Sequence, residues 1–171
     1  MINKLILKEG FRPISYALIF TIISALFICS FLTTILAIIT IVLLYIYRNS
    51  SKKLNQINGV LSPADGIVTA IDKINNKQII YIKLGLLDSH ILRAPISSSF
   101  KMTKVRNGVN LNIDSFKAKK LNQKINIKFN KIKISLLADQ CNLLLKVDEE
   151  KEISQNDRFA VMISGEIKVT L

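Results

Sequence analysis

The sequence predicts a mainly β fold, a sandwich- or barrel-like domain preceded by an N-terminal α-helical membrane hairpin. Three observations carry that reading. A long uncharged apolar run lies near the N-terminus, a short polar linker follows it, and from there to Leu171 apolar residues mostly recur two apart.

The apolar run extends from Ile14 to Tyr47, 34 residues without a charge. As one helix it would measure about 51 Å against a hydrocarbon core of about 30 Å. A signal peptide is not expected, since its apolar core runs to only about 7–15 residues and is followed by a small-residue cleavage site. Lys4, Lys8 and Arg12 precede the run, and Arg48, Lys52 and Lys53 follow it. The positive-inside rule prefers both flanks on the cytoplasmic side. A hairpin turning near Cys29-Ser30 or Thr33-Thr34 satisfies that, as two short spans or a re-entrant wedge. One tilted span is the alternative. Residues 1–49 are thus expected to form the anchor, in the inner cell membrane, with the C-terminal domain in the cytoplasm. Tyr45 and Tyr47 beside Arg48 suit interfacial anchoring.

Residues 50–59, SSKKLNQING, form the linker, and 60–171 the β domain. Strands are expected at Gly66–Ile71, Gln78–Leu84, Ile125–Leu137, Leu143–Val147, Arg158–Ile163 and Glu166–Leu171. Asp72–Lys77 (DKINNK) has the Asn-rich chemistry of a hairpin turn. Leu86–Pro95 fits either a strand or a loop. Lys117–Lys124 (KAKKLNQK) reads as a solvated basic loop, with a headgroup-facing patch as the second reading.

The formal net charge is +12. A basic domain tethered to a bilayer suits an anionic membrane surface, where each nearby Lys or Arg contributes about 1 kcal/mol. Nucleic acid is not expected, because the aromatic residues do not interleave with the basic ones as a stacking platform requires. Cys29 and Cys141 have no metal-ligand spacing and form no disulfide framework, so no metal is expected.

Chemistry concentrates in three places. His90 is the only histidine, and LDSHILRAP sets Asp88, Ser89, His90 and Arg93 close together before Pro95. A lone histidine is more often structural than catalytic, but it titrates near neutrality. LSPADG places Asp65 in a Pro-Ala-Asp-Gly turn, which by itself is an ordinary strand opening. The last stretch, RFAVMISGEIKVTL, breaks a strand at Ser164-Gly165, and a bend or bulge is the plain reading of that break.

LSPADGIV followed by HILRAPISS resembles the phosphatidylserine decarboxylase family, in its short, single-domain form. NGVNLNIDSFKAKKLNQKINI and NDRFAVMI extend the resemblance, which covers most of the chain. It implies a zymogen that cuts itself near its C-terminus and turns a serine into a pyruvoyl group. The carbonyl of that group captures the amine of phosphatidylserine and acts as the electron sink for loss of carbon dioxide, giving phosphatidylethanolamine. No ordinary side chain supplies such an electrophile. The resemblance assigns Asp65 to orient His90, and His90 as general base and later proton donor. Ser164 becomes the pyruvoyl precursor and Arg93 a substrate contact. Implied partners are phosphatidylserine, the anionic membrane and the chain's own cleaved C-terminal peptide. The oligomeric state, single chain or homo-oligomer, is left open.

The family's reactive pair is Gly-Ser. Aligned on EIKVTL, Ser164 falls on the glycine and Gly165 on the serine. Aligned rightwards from Asp157-Arg158-Phe159, Gly165 falls on the glycine and Glu166 on the serine. Ser164 is the precursor only with a one-residue shift and a cut between Ile163 and Ser164, and such a slip turns strand side chains to the opposite face. The alternative is a non-cleaving, catalytically inactive homologue that acts as a lipid-binding or partner protein. A membrane-anchored β adaptor unrelated to lipid synthesis is the third reading.

Overall fold

The apolar run folds as two helices. In the computed structural model, which describes residues 6–27, 30–49 and 58–171, α1 spans Phe11–Phe27 and α2 spans Ser30–Ile46. The chain reverses between them, and Thr33-Thr34 lies within α2. Cys29 and most of the expected linker, 50–57, lie outside the described residues. The Leu7 N–H donates to the Tyr47 carbonyl at 2.9 Å and Ile6 bridges Arg48, so both flanks meet at one end of the pair.

Among the described residues no helix is long and apolar enough to cross a membrane. The expected membrane hairpin is corrected accordingly: a helical hairpin is present, and none of the described helices is long enough to span. The reason is length. Each helix has 17 residues, about 25 Å, against a core of about 30 Å. The pair is nevertheless inverted in polarity. Thr21 and Thr40 hydroxyls lie 3.1 Å apart between the helices, as do those of Ser24 and Thr33. Ser24 and Thr40 are buried, while Phe20, Leu26, Phe31 and Ile41 are 60–73% exposed.

Residues 53–171 form a separate unit from 1–52. It is a sandwich of two antiparallel sheets. The first hairpin joins β1 (Ile67–Ile74) to β2 (Lys77–Leu84). Asn75 and Asn76 turn it with φ of +50° and +60°, the left-handed pair that a two-residue hairpin loop requires. β3 (Ile91–Arg93) and β4 (Ser98–Arg106) follow. The short helix α3 (Ala118–Leu121) stands where a basic loop is expected. The expected Ile125–Leu137 strand is a tight hairpin, β5 (Lys124–Phe129) and β6 (Ile132–Ala138). Then come β7 (Leu145–Val147), β8 (Glu152–Ile153), β9 (Arg158–Met162) and β10 (Gly165–Thr170).

The larger sheet runs β1-β2-β10-β6-β5-β4-β8 and the smaller β3-β9-β7. Their inner faces supply the core. Ile82, Leu84, Ile127, Ile134 and Ile167 come from the larger sheet, and Leu92, Phe159, Ala160 and Met162 from the smaller. Phe100, Phe129 and Phe159 meet across it with ring centroids 5.0–5.9 Å apart. β4 is the strand that alternation does not announce. Its register shifts between Met102 and Lys104, and Phe100 is its single fully buried residue.

Phe129 is wholly buried at the centre of this triad. Phe129→Ala is expected to cost about 3–5 kcal/mol, read as a lower urea midpoint of unfolding with an unchanged slope.

Candidate functional site

The site is built where the chain leaves the smaller sheet. β9 ends at Met162, Ile163 and Ser164 form a bend, and β10 begins at Gly165 inside the larger sheet. Gly165 pairs with Leu84 of β2 on one side and Ala138 of β6 on the other. A Cβ on Gly165 would lie 2.2 Å from the Leu137 carbonyl oxygen, and its φ of +153° disfavours side chains. The expected strand break is therefore an inter-sheet crossing. Its glycine is set by close approach of β6, and a serine side chain does not fit at position 165.

Ser164, 4% exposed, carries the bend's only hydroxyl. Its Oγ lies 3.3 Å from the Leu84 carbonyl and 3.3 Å from Asp139 Oδ2, so its one proton has two acceptors. Its carbonyl accepts from the Asp139 N–H at 3.3 Å. Asn142 Oδ1 accepts from the N–H groups of both Ile163 (3.1 Å) and Ser164 (3.3 Å). The turn from Asp139 to Asn142 closes through the Asn142 N–H to the Asp139 carbonyl at 2.9 Å. Ile113 N–H fixes Asp139 Oδ1 at 2.8 Å. Behind it, the buried Asn122 amide donates to the carbonyls of Leu111 and Ala138 and accepts from the Leu111 N–H. Asn122 thus ties the 111–113 loop to the end of β6 that carries Asp139.

The other predicted residues lie on two stretches that run side by side. Leu61 N–H donates to the Pro95 carbonyl at 3.0 Å and Arg93 N–H to the Pro63 carbonyl at 2.8 Å, which lays the LSPADG stretch against HILRAP. Gly66 passes so close to β2 that a Cβ would meet the Lys83 oxygen at 2.5 Å. Burial pushes the Arg93 guanidinium below its ordinary value, and the charges of Asp65 and Asp157 oppose that shift. Arg93 Nη1 also donates to the Asn156 carbonyl. His90 is 2% exposed, and its carbonyl accepts from the Met162 N–H at 3.0 Å. The histidine thereby sits immediately before β3, tied to the last residue of β9. Asp88 turns away, accepting from the Gly85 N–H at 2.8 Å. Asp65 and Arg93 are brought together, the His90 carbonyl is tied to β9, and the Ser164 hydroxyl lies 3.3 Å from Asp139 Oδ2.

A comparison with protein-family models matches phosphatidylserine decarboxylase over residues 39–162. The chain belongs to the phosphatidylserine decarboxylase family. The match covers both motifs and runs through β9, stopping two residues before Ser164, and it sets aside the unrelated-adaptor reading. A search of curated proteins and a search of solved structures each found no match. Asp139 and Asn142 are the site residues that the sequence does not announce. They bound an ordinary Asp-to-Asn turn, and only the fold carries them to a serine 25 and 22 residues away in sequence.

Gly165→Ala is expected to destabilise the β domain by about 1–3 kcal/mol from backbone strain alone, with the carbonyl clash in addition. Ser164→Ala, which removes only a hydroxyl, is expected to change stability by less. Thermal unfolding of the two variants beside the unaltered protein checks the order.

Proposed function

We propose that the protein is a membrane-associated phosphatidylserine decarboxylase that cuts its own chain between Ile163 and Ser164. The observation carrying this reading is a buried, hydrogen-bonded serine at the inter-sheet bend directly after the family match. The residues present fit a pyruvoyl group at position 164: the bend supplies one serine, and position 165 has no room for another. When formed, that group supplies the electrophilic carbonyl that decarboxylation of an amino acid headgroup needs. His90 hands over the proton that the product takes up, and Asp65 sets the local charge with Arg93. β10 lies between β2 and β6, so the segment from Ser164 onward stays in the sheet after the cut and presents its new end to the site.

The lipid side of the reading rests on two surfaces. The helix pair turns apolar side chains outward and hydroxyls inward, the arrangement of helices seated in an apolar medium. On this reading the pair lies in the surface of an anionic membrane, with the β domain on the cytoplasmic side of the inner cell membrane. On the β domain, Lys124, Lys128, Lys133 and Lys168 line a groove of about 410 Å³ on the larger sheet. Lys128 and Lys133 are direct cross-strand partners, and like charges so placed are destabilising. An anionic surface relieves that repulsion.

The second reading, a non-cleaving homologue that binds lipid or a partner, is favoured by one observation: the Ser164 hydroxyl lies 3.3 Å from the carboxylate of Asp139, a residue outside both motifs.

The two readings separate in one assay. The purified full-length protein is mixed with phosphatidylserine vesicles and its intact mass is recorded. The proposal expects phosphatidylethanolamine, and loss of the Ser164–Leu171 mass from the 19.3 kDa chain under denaturing conditions. Ser164→Ala is expected to give neither. An uncut chain that makes no phosphatidylethanolamine leaves the non-cleaving homologue.

A further inference from the structure

The turn from Asp139 to Asn142 touches every polar atom of Ser164, through three hydrogen bonds from two residues. A turn that served only to end β6 would need none of them. We infer that Asp139 is the group that takes the Ser164 proton during self-cleavage, with Asn142 holding the bond to be cut. The inference rests on the self-cleaving reading above.

The geometry divides the labour between two oxygens. Asp139 Oδ1 is engaged by the Ile113 N–H at 2.8 Å, which fixes the carboxylate plane. Oδ2 is then directed to Ser164 Oγ at 3.3 Å. A carboxylate in hydrogen-bond reach of a hydroxyl is the arrangement that general-base catalysis requires, and such contacts tighten as the reaction proceeds. Asn142 Oδ1 accepts from the Ser164 N–H, the amide hydrogen of the bond that breaks, and from the Ile163 N–H on the residue before it. It fixes the peptide on both sides of the carbonyl that is attacked.

The step balances without a co-reactant. The Oγ proton passes to Asp139 Oδ2. Oγ forms a bond to the Ile163 carbonyl carbon, and the bond from that carbon to the Ser164 nitrogen breaks. The nitrogen takes the proton back from Asp139. The products are an ester joining Ile163 to the Ser164 oxygen, a free amine on Ser164 still facing Asn142, and a regenerated carboxylate. Asp139 contacts the reacting oxygen and is a catalytic residue on this account; Asn142 is a positioning residue.

The test is the rate of chain cleavage in the full-length protein, followed on denaturing gels, for the unaltered chain, Asp139→Asn, Asp139→Glu, Asn142→Ala and His90→Gln. Asp139→Asn keeps an oxygen for the Ile113 N–H and removes the base. It is expected to slow cleavage by about 100-fold or more, the usual contribution of a positioned base, with Asp139→Glu recovering part of the rate. The unaltered protein is expected to cut more slowly as acid protonates a carboxylate, a limb missing from residual Asp139→Asn cleavage. A purely structural role would not move that limb. Asn142→Ala is expected to slow cleavage and leave the pH profile unchanged.

An Asp139→Asn chain that cuts as fast as the unaltered one overturns the inference and leaves the self-cleaving reading standing. So does loss of cutting in His90→Gln alone. Should Asp139→Asn fail to fold, a pH profile of the unaltered chain without an acid limb overturns it equally. An unaltered chain that never cuts overturns both.

Discussion

The structure turns on a single chain crossing. Between Met162 and Gly165 the backbone leaves a three-stranded sheet and enters the interior of a seven-stranded one. The peptide there has no regular ladder, so its polar groups need partners from elsewhere. The Asp139 and Asn142 side chains and backbone supply them. Gly165 is the geometric condition of the crossing, because β6 approaches too closely for any side chain. A bend that is buried, with every polar atom of its serine hydrogen-bonded, and next to a glycine is held in place. The proposed self-cleavage requires that order, since the attacking oxygen and the attacked carbonyl would belong to neighbouring residues.

The same crossing explains the order of Ser164 and Gly165. Read along the sequence, the pair is reversed relative to the family's Gly-Ser. In three dimensions the glycine is committed to packing against Leu137, and the serine sits one residue earlier with its hydroxyl directed to Leu84 and Asp139. A one-residue shift turns a strand side chain to the other face. Here the face reached carries Asp139, which accounts for a hydroxyl that meets a carboxylate.

Much of the β domain was legible in the sequence, because alternation reports a half-buried strand directly and Asn75-Asn76 reports its turn. β4 was not, since only Phe100 along it is fully buried and its register is irregular. The Asp65 and His90 motifs were legible from resemblance, and the fold lays the two stretches side by side through Arg93 and Pro63. Asp139 and Asn142 could not be found this way. Their role depends on non-local contacts that no local pattern records. The apolar run announced a helical hairpin but not where its helices divide. The division into two 17-residue helices, with hydroxyls facing inward, is a tertiary outcome.

The central claim is that the chain is cut at one peptide bond, the one between Ile163 and Ser164. Tandem mass spectrometry of the purified full-length protein, unfolded and digested without a reducing hydride, tests it most directly. The account predicts a peptide ending in an Ile163 carboxylate and a C-terminal peptide whose first residue carries a ketone in place of the Ser164 amine. An intact peptide spanning Met162 to Glu166 as the sole product, or a cut at any other bond, would contradict it.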